Sequence, residues 1–270
     1  MKLFIIRHGD PDYAHDSLTE RGFQEAELLS VRLLKENITD VYCSPLGRAQ
    51  ATAKPFLEKT GLHSETLDWL QEFPRPIIQP LKELGLADED RRTCPWDLHP
   101  EVFNRYYDQI TDPLHWSELP MYQAEGAAEM AGKIKDQFFD FLSKLGLVRS
   151  GCGFALAEGT KWDQLKEKNI AFFCHMGLGS LLTAYLGLVP PPVYWQEFRV
   201  MPTSVTTVLF QKIREDFVQS KIFTVGDLTH LASLELTYRG RKKKKSLLFK
   251  RSAFETDETF WCLPVSEYRQ

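Results

Sequence analysis

Leu3-Phe4-Ile5-Ile6-Arg7-His8-Gly9 decides how the rest of the chain is read. Four apolar residues, two of them β-branched isoleucines, predict a short buried strand. A charged pair and a glycine then arrive where that strand must end. In open α/β sheets, ligands bind outside the carboxyl ends of the strands, so Arg7 and His8 stand where chemistry is expected. A second junction of the same kind lies far downstream. Ile170-Ala171-Phe172-Phe173-Cys174 is followed at once by His175, Met176 and Gly177. A strand that merely turns polar at the surface explains either junction alone. Two histidines at two strand ends, each before a loop that opens toward a helix, predict a convergent site.

Composition narrows the function classes. The chain has 270 residues, 43% hydrophobic and 26% charged, with a net charge of −4. One α/β domain spanning 1–270, with an insertion, fits this length better than two independent domains. The negative charge argues against a nucleic-acid binder that relies on a global positive field. No apolar run approaches the roughly 20 residues of a membrane helix, and no cleavable leader precedes the first strand. Neither a membrane nor a nucleic acid is therefore expected as a partner. The five cysteines are scattered without metal-type spacing, and Cys43 and Cys174 end apolar runs, as buried thiols do. A cytoplasmic setting fits.

The elements begin in βαβα order. Leu18-Thr19-Glu20-Arg21-Gly22 leads into a segment with helical spacing of Phe23, Ala26, Leu29 and Leu33, for which Thr19 is a natural N-cap. Val41-Tyr42-Cys43 reads as a second strand, and Ser44-Pro45 opens a helix that Gly61 ends. Residues 64–67 make a third short strand. Residues 72–123 are rich in proline and tryptophan, with a helix over 100–110. The stretch 73–123 reads as an inserted cap over one face of the sheet. An amphipathic helix covers 125–147, a linker 148–168, and a helix 178–186. Residues 205–212 and 217–225 form an antiparallel pair.

The chemistry rests on positive and titratable groups at strand ends and helix starts. Arg7 and Arg48 are permanently charged guanidiniums that bind phosphate bidentately. Arg48 also falls in the first turn of its helix, where free N–H groups favour an anion. The small residues Gly177, Gly179 and Ser180 after His175 let backbone approach a phosphate. His8 is the candidate nucleophile, since imidazole attacks phosphorus when its other ring nitrogen is held. Two arginines and a protonated histidine would stabilise charge on a phosphoryl group in flight. No acidic triad or His/Cys cluster has metal spacing, so neither a metal nor another cofactor is expected.

Taken together, Ile6-Arg7-His8-Gly9, Leu18-Thr19-Glu20-Arg21-Gly22, Ser44-Pro45-Leu46-Gly47-Arg48-Ala49 with Thr52-Ala53, and Cys174-His175-Met176-Gly177 resemble the histidine phosphatase superfamily, or phosphoglycerate-mutase-like family. The resemblance covers roughly residues 1–60 and 124–231, including the late Gly226-Asp227-Leu228-Thr229-His230-Leu231. It implies a three-layer α/β/α sandwich and a phosphohistidine intermediate on His8. It also implies a phosphate pocket of Arg7, His8, Arg48 and His175, and a proton donor after the third strand. Glu72 sits where the family's donor is found, with Glu83 or Asp10 as substitutes.

The departures bear on substrate. Phosphoglycerate mutases continue the first motif with Glu-Ser/Thr and a nearby Asn, where this chain has Asp10-Pro11-Asp12-Tyr13. The leading reading is a metal-independent phosphatase acting on a small phosphorylated substrate. A phosphomutase and a catalytically silent phospho-ligand-binding module are the rivals. In the insertion, Arg75, Arg91 and Arg92 could meet further anionic groups, and Trp96, Tyr106, Tyr107 and Trp116 could stack a ring or simply pack the cap. The basic run Arg239-Gly240-Arg241-Lys242-Lys243-Lys244-Lys245 reads as the solvated tip of a hairpin.

Overall fold

The computed structural model describes residues 1–232. Its main sheet takes eight strands from the chain: β1 (Lys2–Arg7), β2 (Asp40–Cys43), β3 (Ser64–Thr66), β4 (Leu147–Ser150), β5 (Gly153–Leu156), β6 (Asn169–Cys174), β7 (Val205–Arg214) and β8 (Phe217–Asp227). They lie in the order β3-β2-β6-β1-β7-β8-β5-β4. The first four in that order are mutually parallel, and every remaining pairing is antiparallel.

The two apolar runs become the neighbouring strands β1 and β6 at the centre, where both faces are covered and continuous apolar sequence is required. Alternation sorts their side chains. Phe4, Ile6, Ala171 and Phe173 face one layer, built by α1 (Glu20–Leu33) and α2 (Gly47–Thr60). Leu3, Ile5, Ile170 and Phe172 face the other, where α3 (Ala127–Lys144) and α4 (Met176–Gly187) lie. The result is the expected three-layer sandwich. Thr19 caps α1 as its position in the sequence predicts, its hydroxyl accepting from Gly22 N at 3.1 Å. Gly61 closes α2 in the left-handed region at φ 71°.

Residues 67–126 pack on the α3 and α4 side. A short antiparallel pair (Ile77–Gln79 with Arg91–Thr93) and several brief helices carry Phe73, Ile77, Trp96, Val102 and Trp116 into the same apolar core as α3 and α4. Trp116 meets Tyr122 edge-on at 5.4 Å, so it is a packing residue. The helix expected over 100–110 breaks at Tyr106 into Pro100–Arg105 and Tyr107–Ile110.

One element differs from the sequence reading. Residues 147–156 form the β4–β5 hairpin at the sheet edge rather than a linker, with Ser150 paired to Gly153 around Gly151-Cys152. Its strands show little alternation, and only Leu147, Gly153 and Phe154 are buried. Cys43 and Cys174 are buried free thiols, and burial pushes the Cys43 thiol up to about 12, which leaves it unreactive. Among the described residues no helix is long and apolar enough to cross a membrane. The basic run 239–245 and its expected hairpin lie outside the described residues.

Phe172 has no exposed surface, and the rings of Tyr42, Trp69, Phe138 and Phe141 surround it. Phe172→Ala should therefore destabilise the fold by about 3–5 kcal/mol in a urea titration. Phe223→Ala, at a ring 71% exposed on β8, should stay within about 0.5 kcal/mol of the parent.

Candidate active site

The site begins at the β1–β6 pairing. Their parallel register sets Arg7 opposite Cys174, and the His8 N–H donates to the Cys174 carbonyl at 3.0 Å. The residues that follow are thereby held side by side, with His8 and His175 ring centroids 5.1 Å apart. Both side chains are buried. His8 Nδ1 lies 2.7 Å from the Gly9 carbonyl oxygen. A carbonyl oxygen only accepts, so Nδ1 carries the proton and Nε2 holds the lone pair. Gly9 is required for this turn, because a Cβ there would lie 2.8 Å from the Gly22 carbonyl oxygen. Its N–H donates to Thr52 Oγ1 at 2.9 Å, tying the loop to α2.

Two guanidiniums flank the histidines. Arg7 is buried at the end of β1, and its Nη1 donates to the Val200 carbonyl at 2.7 Å. Arg48 is buried in the first turn of α2, where Asp16 clamps it. Asp16 Oδ1 accepts from Arg48 Nη1 at 2.7 Å, and Oδ2 accepts from Gly47 N at 2.6 Å. The Tyr13 ring lies 5.5 Å from the same guanidinium. His175 Nε2 is 2.8 Å from Ser44 Oγ. Arg48 Nε and His175 Nδ1 are buried polar atoms with no hydrogen-bond partner among the described residues. Oxygens of an anion would satisfy both.

Burial, reinforced by Arg7 and Arg48, holds His8 well below the ordinary imidazole range. Burial, then the neighbouring His8, Arg48 and Arg7, does the same to His175. These surroundings oppose the protonated histidine that the sequence reading pairs with a bound phosphoryl group. Both rings are neutral at pH 7, because two fixed positive charges in a buried site disfavour a third. The arginines supply the positive charge.

Glu72 is brought to the start of α4. Its Oε1 accepts from Phe73 N at 2.8 Å and from Leu178 N at 3.0 Å, leaving Oε2 without a hydrogen-bond partner among the described residues. Its charge acts on both Arg7 and Tyr13. Gly177 makes room for this arrangement. A Cβ there would collide with the Trp96 ring and come within 2.8 Å of Glu72 Oε1. The Trp195 indole N–H donates to the Gly177 carbonyl at 2.9 Å from the other side. Asp10 is engaged elsewhere, its Oδ2 accepting from Thr19 Oγ1 at 2.7 Å, and Glu83 is exposed. Among the insertion's arginines, Arg92 is ion-paired with Glu125 at 2.9 Å.

Sequence reasoning did not find Asp16, Tyr13 or Trp195 as parts of the site. Asp16 lies beyond the first motif with no pattern to mark it. Thr52 carries a signal in hindsight, since it stands four residues after Arg48 on the same helix face and donates to the Arg48 carbonyl at 2.7 Å. Among the described residues no group of three His, Cys, Asp or Glu side chains is placed to hold a metal ion.

Residues 3–101 match the model of the histidine phosphatase superfamily (branch 1). An adenosylcobalamin/alpha-ribazole phosphatase of Salmonella typhi is 27% identical over 231 residues, covering 82% of this chain and 95% of that protein. A probable phosphoglycerate mutase of Serratia proteamaculans is 25% identical over 240 residues, covering 86% and 95% respectively. A crystal structure of a phosphoserine phosphatase mutant from Entamoeba histolytica shares the fold, with a TM-score of 0.52 at 19% identity over 85% of this chain and 98% of that one. The superfamily match takes in the Arg7-His8 and Arg48 motifs, and the two curated relatives are matched along nearly their whole lengths.

Proposed function

We propose that this protein is a phosphomonoesterase that works through a phosphohistidine on His8. The observation that carries the reading is the His8 ring itself. It is neutral, with Nδ1–H locked on the Gly9 carbonyl, and two buried guanidiniums act on the ring. The Nε2 lone pair attacks phosphorus, forming the N–P bond as the bond to the leaving oxygen breaks. The positive charge that develops on the ring is stabilised by the Gly9 carbonyl at Nδ1–H. Arg7, Arg48 and His175 meet the phosphoryl oxygens, so the charge of the transition state is matched by fixed donors. Glu72 gives its proton to the departing alkoxide. It then takes one from the water that attacks the phosphohistidine, which releases phosphate and restores His8.

The substrate is a small phosphorylated molecule, a reading supported by the name of the Salmonella relative, an alpha-ribazole phosphatase. We assign the inserted segment 73–123 to a cap over the site, since its Trp96 seats against Gly177 beside Glu72.

His8→Ala should abolish turnover without unfolding the protein. Quenching the parent during turnover, with chelator present throughout, should trap acid-labile, base-stable phosphate on His8. Free phosphate and alcohol should appear in equal amounts. Retained activity in His8→Ala would sink the mechanism, and a relocated phosphoryl group would identify a mutase.

Glu72→Gln isolates the proton donor. An activated aryl phosphate leaves without help, whereas an alkyl phosphate needs the proton. The variant should therefore lose about 10²–10⁴-fold on an alkyl phosphate and far less on nitrophenyl phosphate. Equal losses on both would reassign Glu72 to binding.

The depressed histidines fix the pH behaviour. A histidine whose folded pKa is lowered stays neutral as pH falls through 6.5, while the unfolded chain gains protons there, so stability declines with acidification below that point. In ¹⁵N NMR the His8 and His175 rings should show no titration between pH 8 and 6.5. Added vanadate, an anion that offsets the arginines, should move their midpoints upward.

A further inference from the structure

Behind β1 lies a turn, residues 201–204, that touches both residues of the Arg7-His8 pair. The Ser204 carbonyl accepts from Arg7 N at 3.2 Å, Thr203 N donates to the His8 carbonyl at 3.1 Å, and the turn closes through Ser204 N to the Met201 carbonyl at 3.0 Å. Val200, the residue before it, holds the Arg7 side chain. Pro202 occupies the second position of this turn. The third is Thr203, at φ 56°. That position favours glycine or asparagine, and a β-branched residue is strained there. Strain kept beside a reacting group calls for a reason in the side chain.

The reason is a chain of hydrogen bonds with one consistent direction. The Thr203 hydroxyl donates to the Pro202 carbonyl at 2.8 Å. It can then only accept from His230 Nε2, 3.1 Å away. His230 Nε2 therefore carries the ring proton, and Nδ1 accepts from Arg32 Nη1 at 3.3 Å. Arg32 is itself fixed by Asp227, with Nη2 to Oδ2 at 2.7 Å. His230 reaches this place because Asp227 Oδ1 caps the turn after β8, accepting from Thr229 N at 2.8 Å. The Gly226-Asp227-Leu228-Thr229-His230-Leu231 stretch, which no catalytic role absorbs, thus reaches the backbone of His8 through one intervening residue, Thr203.

We infer that His230 is a positioning residue of the active site, acting through the Thr203 hydroxyl to hold the turn that fixes His8 and Arg7. The inference rests on His8 being the nucleophile. In-line attack depends steeply on the direction of Nε2, whereas Coulomb attraction of an anion to two arginines tolerates small displacements. Loss of the anchor should accordingly show in kcat more than in KM.

His230→Leu should lower kcat by about tenfold to a hundredfold on nitrophenyl phosphate, with KM changed less than about threefold. His230→Gln, whose amide can donate to Thr203 and accept from Arg32, should stay within about threefold of the parent. Thr203→Gly separates position from stability. It relieves the left-handed backbone, so the melting temperature should not fall, while kcat should drop as in His230→Leu. Thr203→Ser, which keeps the hydroxyl, should restore kcat. An active parent whose His230→Leu and Thr203→Gly variants keep full kcat overturns the anchor and leaves the phosphohistidine reading standing. A glutamine variant as slow as the leucine one overturns it too. A parent that releases no phosphate and forms no phosphohistidine overturns both.

Discussion

The parallel pairing of β1 with β6, in the register that sets Arg7 opposite Cys174, is the constraint on which the rest of the site depends. A one-residue slip would exchange the two faces of a strand, carrying Leu3 and Ile5 away from α3 and α4 and Phe4 and Ile6 away from α1 and α2. Both faces are packed, so the core enforces the register. His8 and His175 inherit it at the strand ends. Neither needs a partner of its own to find the other, because the hydrogen bond from His8 N to the Cys174 carbonyl sets their separation.

Burying two imidazoles between two guanidiniums would be costly if all four carried charge. The site avoids this by keeping the rings neutral and giving each arginine an oxygen partner. Arg7 has the Val200 carbonyl and Arg48 has Asp16. Those contacts orient each guanidinium. The same arrangement leaves His8 a lone pair at Nε2. A protonated His8 would have no lone pair at Nε2, so the proposed attack depends on the two arginines and the burial that keep the ring neutral.

Much of this was legible in the sequence, for physical reasons. Buried central strands must be apolar throughout, so β1 and β6 stood out, and the polar residues after them had to lie at the sheet's carboxyl edge. Thr19 and Gly61 marked helix ends because capping geometry restricts residue choice. The β4–β5 hairpin was illegible because an edge element with one partly buried face has little periodicity to show. Asp16 and Thr203 were illegible for another reason. Each acts through tertiary contact with a distant segment, Arg48 in one case and His8 with His230 in the other. The charge state of the histidines depends on summed burial and two arginines far apart in the chain, which no local pattern encodes.

The segment after Gly9, where this chain departs from the mutase pattern, now has a structural account. Pro11 and Asp12 pair with Leu18 and Ser17 in a small antiparallel ladder, and the turn between them presents Tyr13 and Asp16 to Arg48. Asp16 takes a left-handed backbone conformation at φ 42°, which aspartate tolerates better than most residues, and from there both carboxylate oxygens reach the start of α2. The excursion clasps the Arg48 guanidinium and lays the Tyr13 ring 5.5 Å from it. His8 and Arg7 are held instead by the turn at 201–204 and by Val200 before it. Two separate segments thus hold the two arginines, so sequence change in the clasp acts on Arg48 while the turn at 201–204 keeps its hold on His8.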